Sequence, residues 1–150
     1  MENINDFGTM RYWNLTYNDP GRWAEVHAIS GAPLNFFQSI KAGGTGSPRA
    51  VLVKSGIPEL DELLSATSVI KYCNFERTAN GMVMYVRVRL EMYGIPFRNY
   101  DLLRVEGLLA RGNVGFGVRL VLREGGGVEL EVKQEHQKKL MAWLNRSVQG

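Results

Sequence analysis

The chain is poor in the residues that usually carry chemistry. One cysteine, Cys73, and two histidines, His27 and His136, are spread through 150 residues. A lone cysteine rules out an internal disulfide and fits a reducing compartment. A zinc site needs about four ligands at recognisable spacing, and no such set is visible, so no metal or cofactor is expected. No apolar run approaches the ~18 residues of a membrane-spanning helix. The opening "MENINDFGTM" has neither a basic start nor an apolar stretch, so no secretory signal is expected. The glycine-rich "GGTGSPR", Gly43 to Arg49, lacks the Lys-Ser/Thr pair of a phosphate-binding loop. "GNVGFG", Gly112 to Gly117, follows a predicted helix and precedes a strand, the reverse of what pyrophosphate binding requires. Glu129 and Glu131 alternate on a strand and read as a solvated face, not as a converging acid pair.

What is present is an ordinary globular composition. Apolar residues make up 45% and charged residues 22%, with a net charge of +3. There is no internal repeat and no second composition regime, so 1–150 reads as one domain. The mildly basic balance permits contact with nucleic acid or an anionic membrane and demands neither.

Periodicity predicts the elements. "MRYWNLTY" and "RWAEVHAI" flank "NDPG" and read as a β-hairpin, with Ala24, Val26 and Ala28 on one face. Leu34, Phe37 and Ile40 predict a short helix, followed by a mobile glycine-rich loop over 41–48. "RAVLVK" predicts a strand. "SGIPELDELLSA" predicts a helix with Ser55 as N-cap and Pro58 in its first turn. "SVIKYCNFER" and "MVMYVRVRLEMY" predict a hairpin turning at Asn80-Gly81. The second of these strands would run to Met92, with Met82, Met84, Val86, Val88, Leu90 and Met92 on one apolar face. Gly94 and Pro96 would then turn the chain, Phe97 would pack under the sheet, and Asn99 would cap a helix over "NYDLLRVEGLLARG". Two strands joined at Gly125–Gly127 set Arg123 across from Glu129, and "QEHQKKLMAWLNR" is a closing helix. The sum is an α+β domain, with a mostly antiparallel or mixed sheet and about four short helices packed on it.

Basic residues offer the clearest functional signal. Arg87, Arg89, Arg98, Arg104, Arg111, Arg119 and Arg123 fall between residues 82 and 123, opposed there only by Glu91, Asp101 and Glu106. Arginine suits phosphate because its planar fork donates two hydrogen bonds at once. Arg87 and Arg89 share a strand face with Tyr85 and Tyr93, which would offer stacking surfaces for bases. The plainer alternative pairs these arginines with Glu129, Glu131 and helix carboxylates on a solvated face.

The segment from Tyr85 to Leu122 resembles the central part of rhabdovirus matrix proteins. "VRVRLEMY" leads to a turn, then Phe97-Arg98 with a bulky residue just after. An apolar helix and a second apolar strand, "VGFGVRLVL", follow in the same order. Pro96 and Tyr100 also match in one relative. The resemblance covers about a quarter of the chain and implies a non-enzymatic α+β protein. Such a protein self-associates, condenses the viral ribonucleoprotein and links it to the inner face of the envelope during assembly and budding. The implied partners are further copies of the chain, the viral nucleocapsid RNA, an anionic membrane surface and the tail of a viral glycoprotein. The implied location is the virion beneath its envelope and the host cytoplasm and membranes. The chain lacks Pro-Pro-x-Tyr and a lysine-rich start, which fits a short, plant-infecting member better than a vertebrate-infecting one. For self-association, Phe7, Met10 and Tyr12 would dock on a neighbouring copy, with Gly43, Gly44 and Gly46 accepting the contact. The competing expectation is that residues 1–9 are simply a flexible segment. The alternative functions are a single-stranded nucleic-acid-binding domain using the basic strand face and, less favoured, a small enzyme with an unrecognised site.

Overall fold

The computed structural model describes residues 10–41, 44–66, 68–108 and 116–149. The expected α+β class stands: among the described residues, eight strands form one antiparallel sheet, with four α-helices. In chain order these are β1 (Trp13–Asn14), α1 (Pro20–Ser30), α2 (Phe36–Lys41), β2 (Ala50–Lys54) and α3 (Pro58–Ser65). Then come β3 (Tyr72–Arg77), β4 (Gly81–Val88), β5 (Glu91–Arg98), β6 (Leu102–Leu108), β7 (Phe116–Leu122), β8 (Gly127–Val132) and α4 (Gln134–Gln149). The sheet order is β1-β5-β4-β3-β2-β8-β7-β6.

One face of this sheet encloses the main core. Leu52, Phe75, Met84, Ile95, Leu120 and Leu130 meet Leu60 and Leu64 of α3 and Leu140, Trp143 and Leu144 of α4 there. A second, smaller cluster lies on the opposite face, where Val26 of α1 and Leu15 cover Val83 and Tyr85 of β4. β4 is therefore buried on both faces, and Arg87 is its only exposed residue.

Several expectations are corrected. Residues 20–30 form α1, not the second strand of a hairpin. The Asp19 carboxylate accepts from the Gly21 N–H at 2.8 Å, Pro20 opens the first turn, and Trp23, Val26, His27 and Ser30 recur at helical spacing. The β-type alternation of Ala24, Val26 and Ala28 was a coincidence of small residues, since both alanines are exposed. Ser55 is not the N-cap of α3. Ile57 holds that position, and the Ser55 hydroxyl instead accepts from the Ile57 N–H at 3.0 Å while Asp61 accepts from the Ser55 N–H at 2.8 Å.

The long strand does not reach Met92. It turns at Arg89–Leu90, with Arg89 in the left-handed region at φ 56°. The turn reverses the phase of the alternation, so Leu90 is 93% exposed and Met92 lies on the α1 side. Gly94 to Arg98 are strand, not corner. Pro96 is tolerated because β1 pairs with β5 only at Tyr93 and Gly94, leaving β5 an edge beyond them. The helix expected after Asn99 is a short 3-10 turn, Asn99–Asp101, followed by β6. Pairing of β6 with β7 overrides the helical spacing of its leucines. Gln137 of α4 fixes that edge by donating to the carbonyls of Leu108 and Gly117 at 3.1 and 2.8 Å. Of the arrangement that carries the matrix-protein resemblance, the flanking strands remain and the turn and apolar helix do not. Arg123 is not opposite Glu129; Arg119 is.

The β3–β4 hairpin stands, with Ala79 and Asn80 at its tip and the Thr78 N–H donating to the Gly81 carbonyl at 2.9 Å. Gly81 is needed for close approach, not for a positive φ. A Cβ there would collide with the backbone carbonyl of Phe97 on β5. Gly81→Ala is expected to lower the urea midpoint more than any alanine substitution in the exposed turns, because backbone must shift to admit it. Phe97, 1% exposed, should cost about 3–5 kcal/mol as Phe97→Ala. Arg98→Ala, at a half-buried strand end, should leave that midpoint nearly unchanged.

Candidate binding surface

The register of the sheet sets side chains in a row. Arg87 on β4 pairs with Tyr72 on β3, Tyr72 with Val51 on β2, and Val51 with Glu131 on β8. Paired residues share a face, so the four lie side by side. Arg49, two residues before Val51, places its guanidinium carbon 4.5 Å from the Tyr72 ring centroid, a cation–π contact. Arg89 follows at the turn. Arg49, Tyr72, Arg87 and Arg89 line a cavity of about 660 Å³ together with Ser68, Ile70 and Asn74, and among the described residues no carboxylate lines it. Among the described residues, no ion pair involves Arg49, Arg87 or Arg89.

Exposed apolar side chains crowd the same end. Leu90 stands beside Arg89, and Ile70 and Leu63 are 56% and 46% exposed. Leu63, Leu90 and Arg89 share the lining of an adjoining cavity. Sequence reading missed Leu90 because unbroken alternation assigned it to the interior. No glycine, asparagine or proline marks the turn.

Four of the remaining arginines make contacts within the chain. Arg104 contacts Glu106 at 2.8 Å, and Arg119 contacts Glu106 at 3.8 Å and Glu129 at 3.2 Å, a ladder across β6, β7 and β8. Here the plainer alternative of a solvated, paired face holds. Arg123 donates to the Tyr100 carbonyl at 2.7 Å, and Arg98 lies 5.8 Å from the Tyr100 ring. Arg111, Phe7 and Gly43 lie outside the described residues.

The tyrosines proposed for stacking are not available. The Tyr85 hydroxyl donates to Glu76 at 2.7 Å and its ring packs against Trp23. Tyr93 is 5% exposed and donates to Glu91 at 2.8 Å. Tyr72, not singled out from sequence, is the exposed ring on this face. Met10 and Tyr12 pack against the chain's own core, with Tyr12 edge-on to Tyr93 at 6.1 Å. In the 41–48 segment, Gly44 and Gly46 are exposed. Gly46 bridges to Glu76, and the Arg77 and Ser47 N–H groups donate to the Thr45 and Phe75 carbonyls at 2.8 and 2.9 Å. Part of that loop is thus tied to β3. Phe36, Phe37 and Ile40 of α2, expected to include an inward face, are 72%, 76% and 60% exposed.

No three His, Cys, Asp or Glu side chains gather as metal ligands among the described residues. Among those residues, no helix is long and apolar enough to cross a membrane. Cys73 is buried, and burial pushes its thiol from 9.0 up to about 12. Burial, then the Glu91 hydrogen bond and charge, likewise raise the Tyr93 hydroxyl from 10.0 to about 12, and burial followed by Glu76 raises Tyr85. All three groups hold their protons more tightly when folded. Their contribution is intact below their ordinary values and is lost as pH climbs through the folded ones. Stability should therefore fall between about pH 9 and 12 in urea titrations. Native Cys73 should resist a thiol reagent at pH 8 that labels the unfolded chain at once.

No family model, no curated protein and no solved structure matches the chain.

Proposed function

We propose that this is a non-enzymatic binding protein of the matrix type, whose β4–β5 end seats on an anionic membrane surface. The observation that carries the reading is the meeting of an exposed apolar tip with unpaired arginines. Leu90, Ile70 and Leu63 provide side chains to enter the headgroup boundary, and Arg49, Arg87 and Arg89 provide charge for anionic lipids. Each basic residue near such a surface adds about 1 kcal/mol, and full burial of a leucine about 1.5–3 kcal/mol. One copy would bind weakly and reversibly, so stable coating calls for many linked copies. The exposed Phe36, Phe37 and Ile40 of α2 support contact between copies. In this reading the partners remain further copies of the chain, the membrane, a viral glycoprotein tail and the viral ribonucleoprotein.

A second reading, single-stranded nucleic acid on the same face, is favoured by one observation. Tyr72 is exposed and already stacked by Arg49, as a base-stacking platform would be.

Co-sedimentation with phosphatidylserine-containing and phosphatidylcholine-only vesicles, at low and high salt, separates these outcomes. Arg87→Ala/Arg89→Ala should weaken binding to the anionic vesicles by roughly thirtyfold, the sum of two ~1 kcal/mol contributions. Leu90→Ser should weaken it at both salts. Salt-sensitive binding of oligonucleotides without vesicle binding would transfer the site to the second reading. Binding of neither overturns both.

A further inference from the structure

The Arg49–Tyr72 pair is a wall between two cavities. On its far side, a second cavity of about 550 Å³ opens between β2, the end of β8 and the start of α4. Its size lies within the ~300–1,000 Å³ usual for small-molecule sites. The apolar part of its lining comes from Pro48, Ala50, Val51 and Val132. Lys133, Lys139 and Arg49 bring three cations to it, against the single carboxylate of Glu131. Among the described residues, no ion pair involves Glu131, Lys133 or Lys139. The half-buried imidazole of His136 completes the polar edge.

These groups stand in a definite order. Tyr72, Val51 and Glu131 are consecutive partners across three strands, so Tyr72 and Glu131 are separated by two interstrand steps, about 10 Å. An aromatic ring would span that interval over Val51, with its edge against Tyr72, and Glu131 at the other end would accept a hydrogen bond from an amino or imino group. Lys133 follows Glu131 at the exit of β8, and Lys139 of α4 lines the same cavity, so two ammonium groups are available to an anionic substituent.

We propose that this cavity binds a phosphorylated aromatic ligand of mononucleotide size: the ring over Val51, the phosphate between Lys133 and Lys139, and an amino or ring N–H group of the base donating to Glu131. The site is separate from the membrane-facing surface and shares with it only the Arg49–Tyr72 wall.

Isothermal titration of the full chain with AMP, GMP, CMP and UMP, alongside adenosine and inorganic phosphate, tests this. One or more nucleotides should bind saturably at one per chain. Adenosine and inorganic phosphate should each bind at least about tenfold more weakly, the effect of losing one charged hydrogen-bonding group. Lys133→Ala/Lys139→Ala, at two exposed positions, should reduce nucleotide affinity to the nucleoside level with an unchanged thermal melt. Glu131→Gln should alter the ranking among the bases. Arg87→Ala/Arg89→Ala, on the other side of the wall, should leave nucleotide binding intact while reducing vesicle binding, so the two proposals fail independently. Absence of saturable binding by all four nucleotides, or full affinity in the lysine variant, would overturn the assignment.

Discussion

Burial of β4 on both faces is the constraint from which the rest of this molecule follows. Met82, Met84 and Val86 fill the main core, and Val83 and Tyr85 lie beneath α1. A strand covered on one side can slip by one residue only by exchanging apolar for polar positions; one covered on both sides cannot slip without breaking two clusters. The register of β4 with β3 and β5 is thereby fixed over their full length. That register places Tyr72 beside Arg87, and through β2 and β8 it sets Val51 and Glu131 in the same row. It also dictates where the chain must reverse. Once Val88 has paired with Glu91, Arg89 and Leu90 are left to make the turn, and neither can fold inward.

Charge is divided unevenly over the sheet. At the β6–β8 half, Arg104 and Arg119 are satisfied by Glu106 and Glu129. Such exposed pairs add little stability, but they neutralise the surface. At the β2–β4 half, Arg49, Arg87 and Arg89 have no such neutralisation among the described residues, and apolar side chains rise beside them. Glu76, Glu91 and Glu131 line neighbouring cavities without pairing to these arginines, and a cluster of like charges outside any ion pair is kept at some cost in self-repulsion. A surface partner carrying the opposite charge removes that cost on binding. The proposed binding surface is therefore marked by Arg49, Arg87 and Arg89, not by the paired Arg104 and Arg119. The Arg49–Tyr72 contact then divides that surface from the smaller cavity under α4.

Local chemistry made some elements legible and hid others. Pro58 with its acidic followers announced α3, and the closing helix showed its apolar stripe in Leu140, Met141 and Leu144. The β3–β4 hairpin was visible from its apolar runs and turn residues. In contrast, α1 carried a strong Asn-Asp-Pro-Gly turn signal that was in fact its own N-terminal cap. β6 carried leucines at helical spacing yet pairs with β7, since an available strand edge outweighs a weak local preference. The Arg89–Leu90 turn had no turn residue at all, and Arg89 accepts a positive φ because pairing on both sides requires it.

The sequence by itself determined the class of the fold, the buried place of Cys73 and the basic stretch from Arg87 to Arg123. Each of these rests on composition or on contacts close along the chain. Only the tertiary structure decided which arginines are free. Pairing of Arg104 and Arg119 depends on strands brought together by the β6–β7–β8 meander. The neighbourhood of Arg87 depends on Tyr72 of β3 and on Arg49, just before β2. Exposure of Leu90 depends on a phase change at a turn that local preference would not have made. A surface assembled from residues far apart in the chain is a property of register, and register is set by burial on both faces of β4.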